Sequence, residues 1–138
     1  MAASARASER IAREAEACFA RPDQGADPII DQAVRALHAW PVYGDLGGVL
    51  FVTPDGEVYC RPHDTSGLVV VTDPRWRTIA WAAAAEQAPE VRELLPSRPD
   101  GTPDCSACEG KGRIQATPQS RAWCGACWGL GWRWSGHS

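Results

Sequence analysis

The sequence predicts an α+β protein. A small body of helix, β-hairpin, strand and helix is followed by a treble of loops and short strands rich in cysteine. Three observations carry this expectation. Apolar residues recur at helical spacing in segments that open on capping residues, two of them as Asp-Pro. Asp55-Gly56 separates two short β-branched and aromatic runs, as a hairpin turn does. Beyond residue 104, Cys105, Cys108, Cys124 and Cys127 fall into two C-x-x-C pairs.

Taken in order, residues 4–20 read as a helix with Ser8 as N-cap and Glu9 in the first turn. Ile11, Ala15, Cys18 and Phe19 share its apolar face. Cys18 is expected to be a small buried hydrophobe. Arg21 to Gly25 end the helix. Asp27-Pro28 opens a second one, with Ile30, Val34, Leu37 and Trp40 on its apolar side and Pro41 as its stop. Gly44 to Gly48 reads as a loop. Val49–Thr53 and Glu57–Cys60 are expected to be the two arms of the hairpin. Leu68–Thr72 is predicted as a further strand, apolar on both faces and therefore central or covered. Asp73-Pro74 starts a helix running to about Ala88, with Trp76, Ile79, Ala80 and Ala83 together and Trp81 pointing to another element. Pro89 begins a short helical turn to Leu95.

These elements imply an N-terminal helix and loop over 1–26 and an α+β body over 27–96. A proline-rich linker over 97–104 leads to a cysteine module over 105–134 and a disordered tail over 135–138.

Composition narrows the function classes. With 138 residues the chain suits one small domain or two mini-modules. Arg and Lys number 14 against 17 acids, a net charge of −3, which argues against a polycationic nucleic-acid binder. Val, Ile, Leu and Phe make up only about a sixth of the chain, so the core is thin and gains from an extra staple. Seven Trp add burial area. A single Lys among many Arg, with abundant Ala, Gly and Pro, looks like a GC-rich bacterial coding sequence. No apolar run reaches the roughly 18–20 residues that span a bilayer. The first residues lack the apolar stretch of a secretion signal, and Glu9 and Glu14 argue against a transit peptide. A cytoplasmic protein with reduced thiols is expected, and there clustered cysteines point to metal before disulfides.

The cysteines carry the chemistry. Fifteen residues separate Cys108 from Cys124, giving C-x2-C-x15-C-x2-C. A zinc ion takes four thiolates tetrahedrally at roughly 2.3 Å. Each C-x-x-C folds as a knuckle presenting two sulfurs. Gly110, Gly112, Gly129 and Gly131 follow the second cysteine of each pair at equal offsets. Glycine allows the sharp turn there and lets amides approach the sulfurs. One zinc per chain is expected, held by Cys105, Cys108, Cys124 and Cys127.

Residues 105–131 thus contain two C-x-x-C-x-G-x-G units, and these resemble the repeats of the DnaJ-type cysteine-rich zinc domain. That family carries four such repeats binding two zincs and contributes to binding unfolded clients; two repeats suffice for one zinc. No His-Pro-Asp signature of a J-domain is present, so stimulation of an Hsp70 partner is not implied. The body resembles the latter half of SUKH-superfamily domains, in Gly47-Gly48 before a strand, Asp55-Gly56-Glu57-Val58-Tyr59, and the Trp-bearing helix after the last strand. Those are α+β binding proteins, many of them bacterial toxin-immunity proteins.

Other features are weighed against simpler readings. Trp123, Trp128, Trp132 and Trp134 either wrap the metal site or form an aromatic surface for a protein or for unstacked bases. Residues 101–138 carry a net +2, which four thiolates and one zinc bring to about neutral, so nucleic-acid binding is disfavoured. Cys60-Arg61-Pro62-His63-Asp64 reads as a strand-end cysteine and a surface loop rather than a nucleophile–base pair. The expectation is a non-enzymatic zinc protein acting in recognition of a protein partner, as an adaptor, immunity-like or chaperone-like factor. The alternatives are a thiol-disulfide oxidoreductase or redox switch using the C-x-x-C pairs, and a single-stranded RNA-binding module using the tryptophans.

Overall fold

A computed structural model describes residues 5–20, 32–45, 48–62, 67–98, 100–117 and 120–132. Helix α1 covers Ala5–Ala20. Its buried residues Ala7, Ile11, Ala15 and Cys18 recur every three or four positions and turn one stripe inward. Cys18 is among them, as expected. Among the described residues helix α2 covers Gln32–Ala36, and its expected start at Asp27-Pro28 lies outside them. Its end differs from the expectation. His38 adopts a left-handed φ of 51°, Leu37 is exposed, and Trp40 and Pro41 open a strand.

That strand, β1, covers Trp40–Asp45 and pairs antiparallel with β2, Gly48–Val52. Pro41 is no helix stop but lies in an edge strand, where a missing N–H costs no ladder bond. The register slips between Pro41 and Tyr43, so the strand carries a bulge there. Of the loop expected over 44–48, Gly44, Asp45 and Gly48 belong to these strands, and residues 46 and 47 lie outside the described residues. The turn at Pro54-Asp55-Gly56 leads to β3, Val58–Pro62, and the hairpin is as predicted.

Strand β4 is confined to Val69–Val70 and closes the order β1-β2-β3-β4. The longer, covered strand expected over 68–72 is not formed. Val69 and Val70 stand at the edge, 52% and 46% exposed.

Helix α3 covers Pro74–Gln87. The Asp73 carboxylate accepts from the Arg75 amide at 2.9 Å, and Pro74 fixes the first turn. Five alanines favour the helix strongly. They also let it pack closely, because Ile79, Ala80, Ala82, Ala83, Ala84 and Ala85 are all buried. Trp81 does reach another element: its Nε1 donates to the Gly56 carbonyl in the β2–β3 turn at 3.1 Å. A 3-10 turn over Pro89–Leu94 follows.

The pleat of β2 places successive side chains on opposite faces. Leu50 and Val52 join Ile11, Trp40, Ala80, Ala84 and Val91 in the main core beneath α1 and α3. Phe51 faces the other way and packs with Val34 and Ala39. A central strand buried on both faces explains the unbroken apolar run Val49–Val52. The C-terminal part consists of two cysteine turns joined by a hairpin of β5, Arg113–Thr117, and β6, Ser120–Trp123. A bridge between Asp104 and Trp132 closes its ends. No helix among the described residues is long and apolar enough to cross a membrane.

Candidate metal centre

The four predicted cysteines meet in one place. All are buried, and their sulfurs lie within 4.8 Å of one another. Cys105 Sγ is 3.8 Å from Cys124 Sγ, and Cys108 Sγ is 3.7 Å from Cys127 Sγ. Metal–sulfur bonds of about 2.3 Å in a tetrahedron imply sulfur–sulfur edges of about 3.8 Å. The cluster therefore fits one four-coordinate metal ion, and its donors are the soft thiolates that such an ion takes.

The backbone explains how the sequence builds it. The two repeats match residue by residue at an offset of 19. The Gly112 amide donates to Cys108 Sγ at 3.1 Å, and the Gly131 amide donates to Cys127 Sγ at 3.2 Å. The Cys105 amide donates to the Gly131 carbonyl at 3.0 Å, and the Cys124 amide donates to the Gly112 carbonyl at 2.9 Å. Each repeat thus closes the other. The left-handed positions match as well, Glu109 with Trp128 at φ 56° and 57°, Gly112 with Gly131 at 81° and 86°. A Cβ on Gly112 would sit 2.6 Å from the Gly129 carbonyl oxygen, and one on Gly131 would sit 2.6 Å from that of Gly110. Only glycine satisfies both demands.

Burial is the largest influence on the thiols where a shift is resolved. It drives Cys127 up to about 12 and raises Cys124. At Cys105, burial is outweighed by the amides of Cys108 and Ala107, and the thiol is lowered. Four thiolates at such distances repel one another, and a divalent cation removes that cost.

The repeats share a backbone but not a surface. Asp104, Glu109, Lys111 and Arg113 of the first correspond to Trp123, Trp128, Leu130 and Trp132 of the second. Trp123, Leu130 and Trp132 lie towards the body beside Ala82 and Ala85 of α3, and so do Lys111 and Arg113. A Cβ on Gly129 would meet Trp123 Cε3 at 2.7 Å and Ala82 Cβ of α3 at 3.3 Å. Arg113 reaches Glu86 of α3 at 2.6 Å and lies over the Trp123 ring at 4.2 Å from its centroid. Leu130 packs on the cysteine cluster. Trp132 is buried, Trp123 and Trp128 are half-buried, and Trp134 lies outside the described residues. Sequence reasoning missed Glu86 and Ala82 as the docking points, since neither stands out locally.

Cys60 lies in β3, half-buried, with Leu50 as its pairing neighbour. His63 lies outside the described residues. Neither C-x-x-C opens a helix, for turns follow Cys105 and Cys124 directly. The chain matches no known family model, curated protein or solved structure. No family match supports a DnaJ-type assignment of residues 105–131 or a SUKH assignment of the body.

Proposed function

We propose that this is a non-enzymatic protein whose four cysteines bind one zinc ion per chain, and whose zinc-held module serves recognition of a protein partner. The observation that carries the zinc assignment is the sulfur cluster itself, with two sulfur–sulfur distances at tetrahedral edge length and amide donors on Cys108 and Cys127. Zinc would supply structure. Four cysteine ligands complete a tetrahedron and leave no position for water or substrate. Gly112 and Gly131 hold the sulfurs, and Arg113 and Trp123 carry the module onto α3. In such modules folding and metal binding are one event.

A recognition role, adaptor-like or chaperone-like as the half-motif's likeness to DnaJ repeats implies, is supported by that docked arrangement in a small chain without an open metal position. A cytoplasmic setting with reduced thiols suits it. An oxidoreductase is less well supported, because redox C-x-x-C pairs draw their low pKa from a helix N-terminus and here turns follow the cysteines. An RNA-binding role is also less well supported, because Trp132 is buried and Arg113 covers Trp123.

Native mass spectrometry and elemental analysis test the assignment. One zinc per chain, with four thiols shielded from alkylation until a chelator is added, is the expected result. Cys124→Ser should abolish zinc binding and change the tryptophan emission while the helical circular dichroism of the body persists. Metal-free protein with a reversible Cys124–Cys127 disulfide and insulin-reducing activity would overturn the reading in favour of redox chemistry. For the recognition role, zinc-loaded bait should retain a specific protein that chelated bait does not.

A further inference from the structure

We infer that the cleft between α3 and the cysteine module binds an acidic segment of a partner protein, with an apolar side chain between two carboxylates. This rests on the recognition reading above and names the surface and the chemistry that would carry it.

The cleft holds about 690 Å³, within the range of sites that enclose a small ligand or a few side chains. Its walls come from distant parts of the chain. Ala82 and Ala85 of α3 form one wall, and Trp123, Leu130 and Trp132 of the module form the other. The segment Leu95–Arg98 closes a third side. Arg98 holds that segment in place, donating to the Thr102 carbonyl at 2.6 Å and to Asp104 at 2.9 Å. Small alanines facing half-buried Trp123 and Leu130 leave room for one aliphatic side chain.

The charges at the mouth decide the sign of the occupant. Glu86 is held by Arg113, and Arg98 by Asp104. Glu93 is not free either. Arg92 and Lys111 also line the cleft, and among the described residues neither has an ion pair. The cations are therefore the charges left for a ligand. The chain's net −3 does not reverse this, because charges beyond about 8 Å are screened at physiological salt. Nucleic acid fits less well. Two cations neutralise few phosphates, and Trp123 already carries a guanidinium on its ring.

One wall belongs to the metal module, so the cleft exists only while the module is folded and docked. Ligand binding and metal retention are then linked, each favouring the other.

The probe is a fluorescein-labelled glutamate peptide carrying two leucines, titrated onto zinc-loaded protein. A lysine–leucine peptide of the same length and a single-stranded oligothymidylate serve as comparisons. The glutamate peptide should bind at least about tenfold tighter than either. Lys111→Glu and Arg92→Glu should each weaken it about tenfold, with zinc content and melting temperature unchanged, and chelation should abolish binding. Equal binding of the lysine peptide, preference for the oligonucleotide, or indifference to both substitutions would overturn the inference. A cellular protein held equally by wild-type and Arg92→Glu/Lys111→Glu bait, both zinc-loaded, would overturn it too, while leaving the recognition reading intact.

Discussion

Arg113 Nη2 lies 2.6 Å from Glu86 Oε1, so the first residue of β5 is tied to the last turn of α3. The same guanidinium covers the Trp123 ring at 4.2 Å. One side chain therefore joins the body, the hairpin and an aromatic wall of the cleft. Glu86 is half-exposed, and an exposed pair contributes only about 0.2–1 kcal/mol. The ring contact adds about 0.5–1 kcal/mol. Arg113→Ala should therefore cost about 1–2 kcal/mol in urea unfolding, and Glu86→Gln less than about 1 kcal/mol. A double-mutant cycle should return a coupling no larger than the ion pair alone.

Glycine substitutions separate backbone demand from mere proximity to the metal. Gly131→Ala places a Cβ 2.6 Å from the Gly110 carbonyl oxygen at a φ of 86°. A left-handed non-glycine residue costs roughly 1–2 kcal/mol before any clash. Zinc affinity should fall at least about tenfold, as 1.4 kcal/mol implies. Gly125 lies between Cys124 and Cys127, yet a Cβ there meets nothing within 4 Å. Gly125→Ala should bind zinc as the wild type does, by competition with a chromogenic chelator.

Zinc retention should depend on pH. Protons compete with zinc for the four thiolates, so acid should release the metal. Dye-monitored zinc release on stepwise acidification should show this acid limb, while the helical circular dichroism of the body persists.

Trp81→Phe should destabilise the body by about 1–2 kcal/mol. The ring would still fill its site and face Arg77, 5.0 Å from the present centroid. The Gly56 carbonyl would lose its donor from Trp81 Nε1. Chemical denaturation followed by far-ultraviolet circular dichroism measures the difference, and zinc content should not change.

The metal cluster, α1, α3 and the β2–β3 hairpin were legible because their determinants are local. Cysteine spacing, the Asp73-Pro74 start and Asp55-Gly56 act over a few residues. Strand β1 was hidden because Trp40 continues the helical spacing of Val34 and Leu37, and Pro41 reads as a stop. Only pairing with Val52 and Phe51 reveals an edge strand. The run Val69–Val71 looks like a buried strand, yet the sheet ends there and Val69 and Val70 face solvent. No nearby residue encodes that outcome. The seat of the module on α3 was likewise out of reach, since Ala82 is an ordinary helix residue until Gly129 arrives against it.

The two knuckles are near copies in backbone, and a half-turn would superpose one upon the other. Rotated that way, the clasp would put Arg113 in the buried place of Trp132, Lys111 in that of Leu130 against the cysteines, and Asp104 in that of Trp123. Charged side chains in those apolar places lose hydration, and the pair of Arg113 with Glu86 is given up. The duplicated motif can therefore be seated one way round only.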